Sequence, residues 1–284
     1  ILFRLVGSEM CIRDRATNAE GLQAFVSDGV TLGSDSTVNH SSYTYVGWNW
    51  KANGGTTSSN SDGSITSTVQ ANTTAGFSIV TYTGTGSSAT VGHGLGKAPN
   101  MTIIKPRNFA DHWIVTYDNV DGSDDQAYLN LSNAGGSPSA SYAVAQNATT
   151  LGLTDWNGVN DTSDTYVAYC FHSVEGYSRF GSYTGNASTN GTFVYTGFRP
   201  AFLLVKNTAT SNYWRMWVND GDGNVEKNGV YPNASSPEDT PTNWYVDWLS
   251  NGFKARGSQS EMNGSGNAII SVSYTHLRAH ETEE

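Results

Sequence analysis

The sequence predicts an all-β protein made of tandem antiparallel β-sandwich modules, and three observations predict it. The first is a repeat. Tyr82-Thr83-Gly84 returns as Tyr183-Thr184-Gly185, and Gly96, Pro99, Lys105 and Trp113 return as Gly197, Pro200, Lys206 and Trp214, always 101 residues later. A fixed offset with no gap reads as a duplicated structural unit. The second is composition. Aromatics make up 12% of the chain, charged residues only 14%, and there are 31 glycines, which suits short strands joined by many turns. The third is the period of the apolar residues. They alternate in short runs, as half-buried strands require, and no stretch keeps a helical period.

The elements follow in order. Gly21 to Lys51 reads as a hairpin: Val30-Thr31-Leu32 opens it, Ser34 to Ser42 turns, and Tyr45 to Trp50 returns with Val46, Trp48 and Trp50 on one face. The plan recurs at Leu151 to Phe171, where Tyr166-Val167 matches Tyr45-Val46 at an offset of 121, and a third copy starts at Ser250 and ends near Ile270. Each copy carries an Asn in its turn (Asn39, Asn160, Asn263) followed by a pattern that also fits an N-glycosylation acceptor. Turn chemistry is the expected reason, since Asn tolerates left-handed backbone. The domain plan is therefore 16–51, the C-terminal hairpin of a truncated first module; 52–64, a Gly/Ser/Asn-rich linker; 65–177, a full sandwich; and 178–271, a second one. Val174 to Arg179 joins the last two with almost no slack, so rigid packing is expected. A single helical turn is expected only within Asn233 to Thr242.

The ends, 1–15 and 272–284, read like translated sequencing-adapter sequence and are set aside from fold reasoning. Removing them takes away four basic and five acidic residues from a chain of net charge −10, leaving −9. An acidic, charge-poor surface does not suit a phosphate backbone, so no nucleic acid is expected. No apolar run reaches the ~20 residues of a membrane span. Outside the ends Cys170 is the one cysteine, which leaves no disulfide framework and no cysteine-based zinc site; within Tyr166 to Phe171 it reads as a small core residue.

Chemistry-bearing patterns are sparse. A retaining glycosidase needs two carboxylates about 5 Å apart, and no strand carries a spaced carboxylate pair. His93 and His112 align with Val194 and Tyr213, so the fold does not require histidine there. No catalytic residue is assigned and an enzyme is not expected. Asp220, Asp222 and Asn224 alternate oxygen ligands as calcium loops do, but Val225 stands where an EF-hand needs Gly and no closing Glu follows. Calcium is the one ion that this spacing suits; no other cofactor is implied. For a ligand site, aromatic side chains in loops are the signal, because apolar rings beside hydrogen-bonding groups suit sugar faces. Trp156, flanked by Asp155 and Asn157, is the first candidate, since its counterparts in the other hairpins are not aromatic; Trp244 is the second.

At Tyr45 to Lys51, Asn72 to Gly84, Val91 to Pro99, Val194 to Phe202 and Leu249 to Lys254 the sequence resembles a family of uncharacterised proteins of marine tailed bacteriophages. The resemblance runs through nearly all of residues 22 to 270. It implies a tail-fibre or tail-spike-like virion component with jelly-roll or lectin-like sandwiches related to concanavalin A-like domains, located on the extracellular particle. The implied partners are other virion proteins, host cell-surface polysaccharide and further copies of the chain. The competing expectations are a glycan-degrading sandwich enzyme and a secreted bacterial surface adhesin.

Overall fold

The computed structural model describes residues 2–3, 20–26, 29–43, 45, 48–52, 56–118, 124–136, 144–219, 225–226, 228–234, 236–238 and 244–275. Nearly all regular structure among them is β. The N-terminal part holds β1 (Leu2–Phe3), β2 (Leu22–Val26), β3 (Gly29–Leu32), the one-turn helix α1 (Ser36–Asn39) and β4 (Trp48–Asn49). β5 (Ser58–Asn60), β6 (Ser67–Asn72), β7 (Phe77–Thr83), β8 (Ala89–Gly92), β9 (Met101–Pro106), β10 (Ile114–Asp118) and β11 (Asp124–Tyr128) follow. Next come β12 (Val144–Gln146), β13 (Thr150–Leu153), α2 (Asn157–Asn160) and β14 (Thr165–Phe171). The last part has β15 (Ser178–Thr184), β16 (Phe193–Tyr195), β17 (Phe202–Asn207), β18 (Arg215–Val218), β19 (Val225–Glu226), β20 (Trp244–Leu249), β21 (Gly252–Gly257), α3 (Ser260–Asn263) and β22 (Ala268–Tyr274).

Four sheets carry the fold. A three-stranded sheet, β12-β13-β8, covers one face of a seven-stranded sheet, β11-β10-β9-β14-β7-β6-β5. A four-stranded sheet, β15-β22-β17-β18, is covered in turn by β16-β21-β20-β19. All the strand pairings are antiparallel. Small two-stranded pairs, β1-β4 and β2-β3, lie near the N-terminus.

Residue alternation explains how the sheets stack. In β14, Tyr166, Ala168 and Cys170 enter the core beneath the three-stranded sheet, while Val167, Tyr169 and Phe171 enter a second core. That second core also receives Phe180, Phe202, Trp214, Met216, Ile270, Val272 and Tyr274 from the other module. Leu203, Val205, Trp217 and Ile269 of the same four-stranded sheet face a third core with Val246, Trp248 and Phe253. The two inner sheets are thus buried on both sides, so β9 and β17 read as nearly unbroken apolar runs. Each module is a sandwich, and the two share a core between them. Polar groups cross the same junction: Trp214 Nε1 donates to Tyr128 O at 2.9 Å and Lys206 Nζ donates to Ser132 O at 3.1 Å.

Several boundaries differ from those expected. The segment 52–64 is more than a linker, because β5 pairs with β6 at the edge of the large sheet. Ser58-Ser59-Asn60 has no apolar pattern; backbone pairing with a preformed neighbour makes it a strand. The last strand crosses the expected boundary at 271/272. Ile270, Val272 and Tyr274 continue one buried face, and Tyr274 packs edge-on against Trp50, Tyr177, Phe180 and Phe202. The three expected hairpins are not hairpins: β13 pairs with β12 and β8 while β14 pairs with β7 and β9, β21 pairs with β16 and β20 while β22 pairs with β15 and β17, and β3 pairs with β2 while β4 pairs with β1, so in the two full modules the segment crosses from the outer sheet to the inner one. Helical turns occur in these connections, at α1, α2 and α3, whereas Pro232-Asn233 forms a plain turn. Of the return strand expected at Tyr45 to Trp50, Val46 lies outside the described residues; Trp50 packs on the shared core.

Candidate functional site

The turns at α1, α2 and α3 are built around the three asparagines. Asn39, Asn160 and Asn263 each close a one-turn helix and donate from Nδ2 to the carbonyl six residues back: Gly33 at 2.8 Å, Thr154 at 3.0 Å and Gly257 at 2.6 Å. In the two full modules the amide does more. Asn160 Oδ1 accepts from Thr85 N at 2.8 Å and its Nδ2 reaches Ser87 O; Asn263 does the same with Asn186 N at 3.0 Å and Ser188 O. Both side chains are fully buried. They are internal clamps between the sheet-to-sheet connection and a neighbouring loop, and a glycan could not be attached there in the folded chain. A tyrosine braces each clamp from the neighbouring strand, Tyr82 Oη donating to Val159 O and Tyr183 Oη to Met262 O.

Trp156 stands at the start of α2, on this rigid base. In the first copy the equivalent Asp35 caps its helix by accepting from Thr37 N at 2.7 Å. Trp156 supplies no cap, which forgoes about 1 kcal/mol in favour of an indole. The ring folds back over its own turn: a Cβ on Gly158 would lie 2.8 Å from Trp156 Cζ2. Trp156 is half-buried and packs against the core under the three-stranded sheet, with exposed Asp155 and Asn157 on either side. One side of the indole therefore braces the turn and the other belongs to a polar, solvent-facing rim.

Trp244 begins β20, where its backbone pairs with Gly257. It sits in the outer sheet of the second sandwich, whereas Trp156 leaves the outer sheet of the first. The structure does not bring these two tryptophans together. Asp220, Asp222 and Asn224 lie outside the described residues. Among the described residues no group of three or more His, Cys, Asp or Glu is placed to hold a metal ion.

His93 and Cys170 serve the folded interior. His93 is buried, accepts at Nδ1 from Leu95 N at 3.2 Å, and its Nε2 lies 3.0 Å from Asn147 O. Burial holds its pKa below the ordinary value. Cys170 is fully buried and its thiol is pushed up to about 12 by desolvation, the opposite of an activated nucleophile.

One surface was not singled out by sequence reasoning. On the outer face of β16, Phe193 is 46% exposed and Tyr195 63% exposed. A Cβ on Gly252 would lie 3.0 Å from Phe193 Cε2, so the phenyl ring lies down across β21. Tyr195 leans in the same manner toward Gly197, whose Cβ would be 3.7 Å from its hydroxyl. Lys254 and Arg256 follow on β21. Arg256 Nη1 meets Asp247 Oδ2 at 2.6 Å, its guanidinium carbon is 5.7 Å from the centre of the Tyr245 ring, and Lys254 Nζ donates to Asn190 Oδ1. The available signal was the repeat itself. At the same 101-residue offset, Phe193 and Tyr195 correspond to Gly92 and Gly94.

A family model described as a domain of unknown function (DUF7483) matches residues 5–276. The chain belongs to that family. The match takes in both sandwiches and the segment from β2 to β4 together. No curated protein and no solved structure matches the chain.

Proposed function

We propose that this chain is a structural and adhesive module of a virion appendage, a tail fibre or spike, that contacts glycan on the host surface. The observation that carries the reading is the core shared between the two sandwiches. It is the largest of the three apolar clusters among the described residues, and it lies between modules rather than within one. Consecutive units that bury their mutual faces form a stack whose length grows without a flexible joint. A chain of independent binding domains would have polar surfaces between its units. The resemblance to phage proteins points the same way. Trp156, held on a braced turn between two exposed polar side chains, supplies a preorganised ring of the kind a sugar-contacting tip needs.

Calorimetry of the full chain tests the structural half. A single cooperative transition covering both sandwiches is expected, and two separable transitions would sink the rigid-stack reading. A glycan array combined with a reducing-sugar assay tests the adhesive half. Binding without sugar release is expected, weakened by Trp156→Ala. Release of oligosaccharide would replace adhesion with depolymerisation.

A further inference from the structure

We propose that the outer face of β16, β21 and β20 is a binding platform for an uncharged polysaccharide, with Phe193 and Tyr195 as its stacking rings. The inference rests on the glycan reading above and gives it a different location. Four observations converge. The rings sit on alternate residues of one strand, about 6.6–6.8 Å apart along the backbone, and both point away from the core that Val194 enters. Each leans toward a glycine, Gly252 or Gly197, so that a ring lies along the sheet and turns a face to solvent. The neighbouring charges are already engaged. Arg256 is held by Asp247 and by Thr189 O, and Lys254 by Asn190. Among these residues Asp247 balances Arg256, and Lys254 is bonded to a neutral amide, so the platform offers hydrogen-bonding groups beside apolar rings with one uncompensated cation rather than the cluster that a phosphate or sulfate polymer needs, which suits a hydroxyl-rich neutral chain. The fourth observation is internal. By pairing register, with the inward Val91 matching the inward Val194, the first module has Thr90 and Gly92 at the ring positions, and the Asn60 side chain of β5 sits where a Cβ on Gly92 would be. The sandwich therefore folds without rings here, and in the first copy this spot is covered.

A protein partner would favour a contiguous apolar centre. Here two rings are bordered by Lys254, Arg256, Asp247 and Tyr245, so polar groups interrupt the apolar area at the spacing of single residues. That arrangement favours the glycan.

The test is affinity electrophoresis of the full-length chain through gels containing dextran, mannan or laminarin, with light scattering run in parallel. The variants are Phe193→Ala, Tyr195→Ala, the double change, Phe193→Trp and Trp156→Ala. Retardation by at least one neutral polymer is expected. Each ring removed should weaken it roughly two- to tenfold, Phe193→Trp should restore it, and thermal stability should stay unchanged. Retardation that survives the double change but disappears with Trp156→Ala overturns this platform and leaves the adhesive reading standing. Failure of every polymer to retard the parent chain overturns the platform, while the adhesive reading is decided by the glycan array. Self-association of the parent that the double change abolishes would assign the face to a second copy and overturn the glycan.

Discussion

Replacing Asn263 with leucine should destabilise the second sandwich by about 2–4 kcal/mol, although the side chain touches no ligand and leucine keeps the same branched arrangement of heavy atoms. The amide is fully buried and serves four groups: it accepts from Asn186 N and donates toward Asn186 Oδ1, Ser188 O and Gly257 O. Gly257 is buried, so its carbonyl would lose its donor with no water to replace it, at about 1–3 kcal/mol. The Asn186 and Ser188 groups are partly solvated and should add roughly 1 kcal/mol between them. For a chain of this size the midpoint of thermal unfolding should drop by about 6–10 °C, read by circular dichroism. Asn160→Leu should cost somewhat less, because it loses the matching bonds to Thr85 N, Ser87 O and Thr154 O but Thr154 is only half-buried. Asn39→Leu should cost under about 1 kcal/mol, since Asn39 is exposed and makes one such bond. Asn263→Asp adds a pH signature. A carboxylate there would face carbonyl oxygens, so burial should raise its pKa above the unfolded value near 3.9. The variant should then approach the parent's stability below about pH 4 and fall behind as pH rises. A loss below 1 kcal/mol in Asn263→Leu, or an equal loss at Asn39, would refute the clamp.

Lys206 is buried and desolvation lowers its pKa to about 8. Between that value and the ordinary 10.5 the unfolded chain holds a proton that the folded chain has released, so stability should rise with pH across the window. Measured against Lys206→Met, the parent should gain up to about 3 kcal/mol between pH 8 and 10.5, and buried tyrosines common to both chains cancel in the difference; a flat difference would disprove it. Tyr274→Ala removes a ring that sits among Trp50, Tyr177, Phe180 and Phe202. It should cost about 3–5 kcal/mol and split the single calorimetric transition into two. Gly158→Ala should displace the Trp156 indole, whose atoms lie 2.8–3.0 Å from the new Cβ, at about 1–3 kcal/mol; unchanged tryptophan fluorescence and melting would show that the ring does not rest there.

How much of this was legible in the chain depends on the range of the interaction responsible. The fold class was legible because strand alternation is local, and the repeat because it is a property of the string alone. The shared core was half-legible. Tyr166 to Phe171 is apolar at both parities, which marks burial on two sides, and the short join at Val174 to Arg179 implied tight packing, but neither names the facing surface. β5 and the one-turn helices were not legible: Ser58 to Asn60 becomes a strand only beside β6, and four residues cannot show a period. The surface platform failed to appear for a related reason. Whether Tyr195 is core or surface depends on what lies over it, and in the first copy that is Asn60, 32 residues from Gly92 in sequence. The trace it does leave is that the rings occur in one copy only. A core packed to crystal-like density does not absorb an added ring, so a ring present in one copy where the other has none marks a position that faces outward. By that reasoning Phe193 and Tyr195 are better indicators of a site than Trp156, whose indole also serves to cover the core.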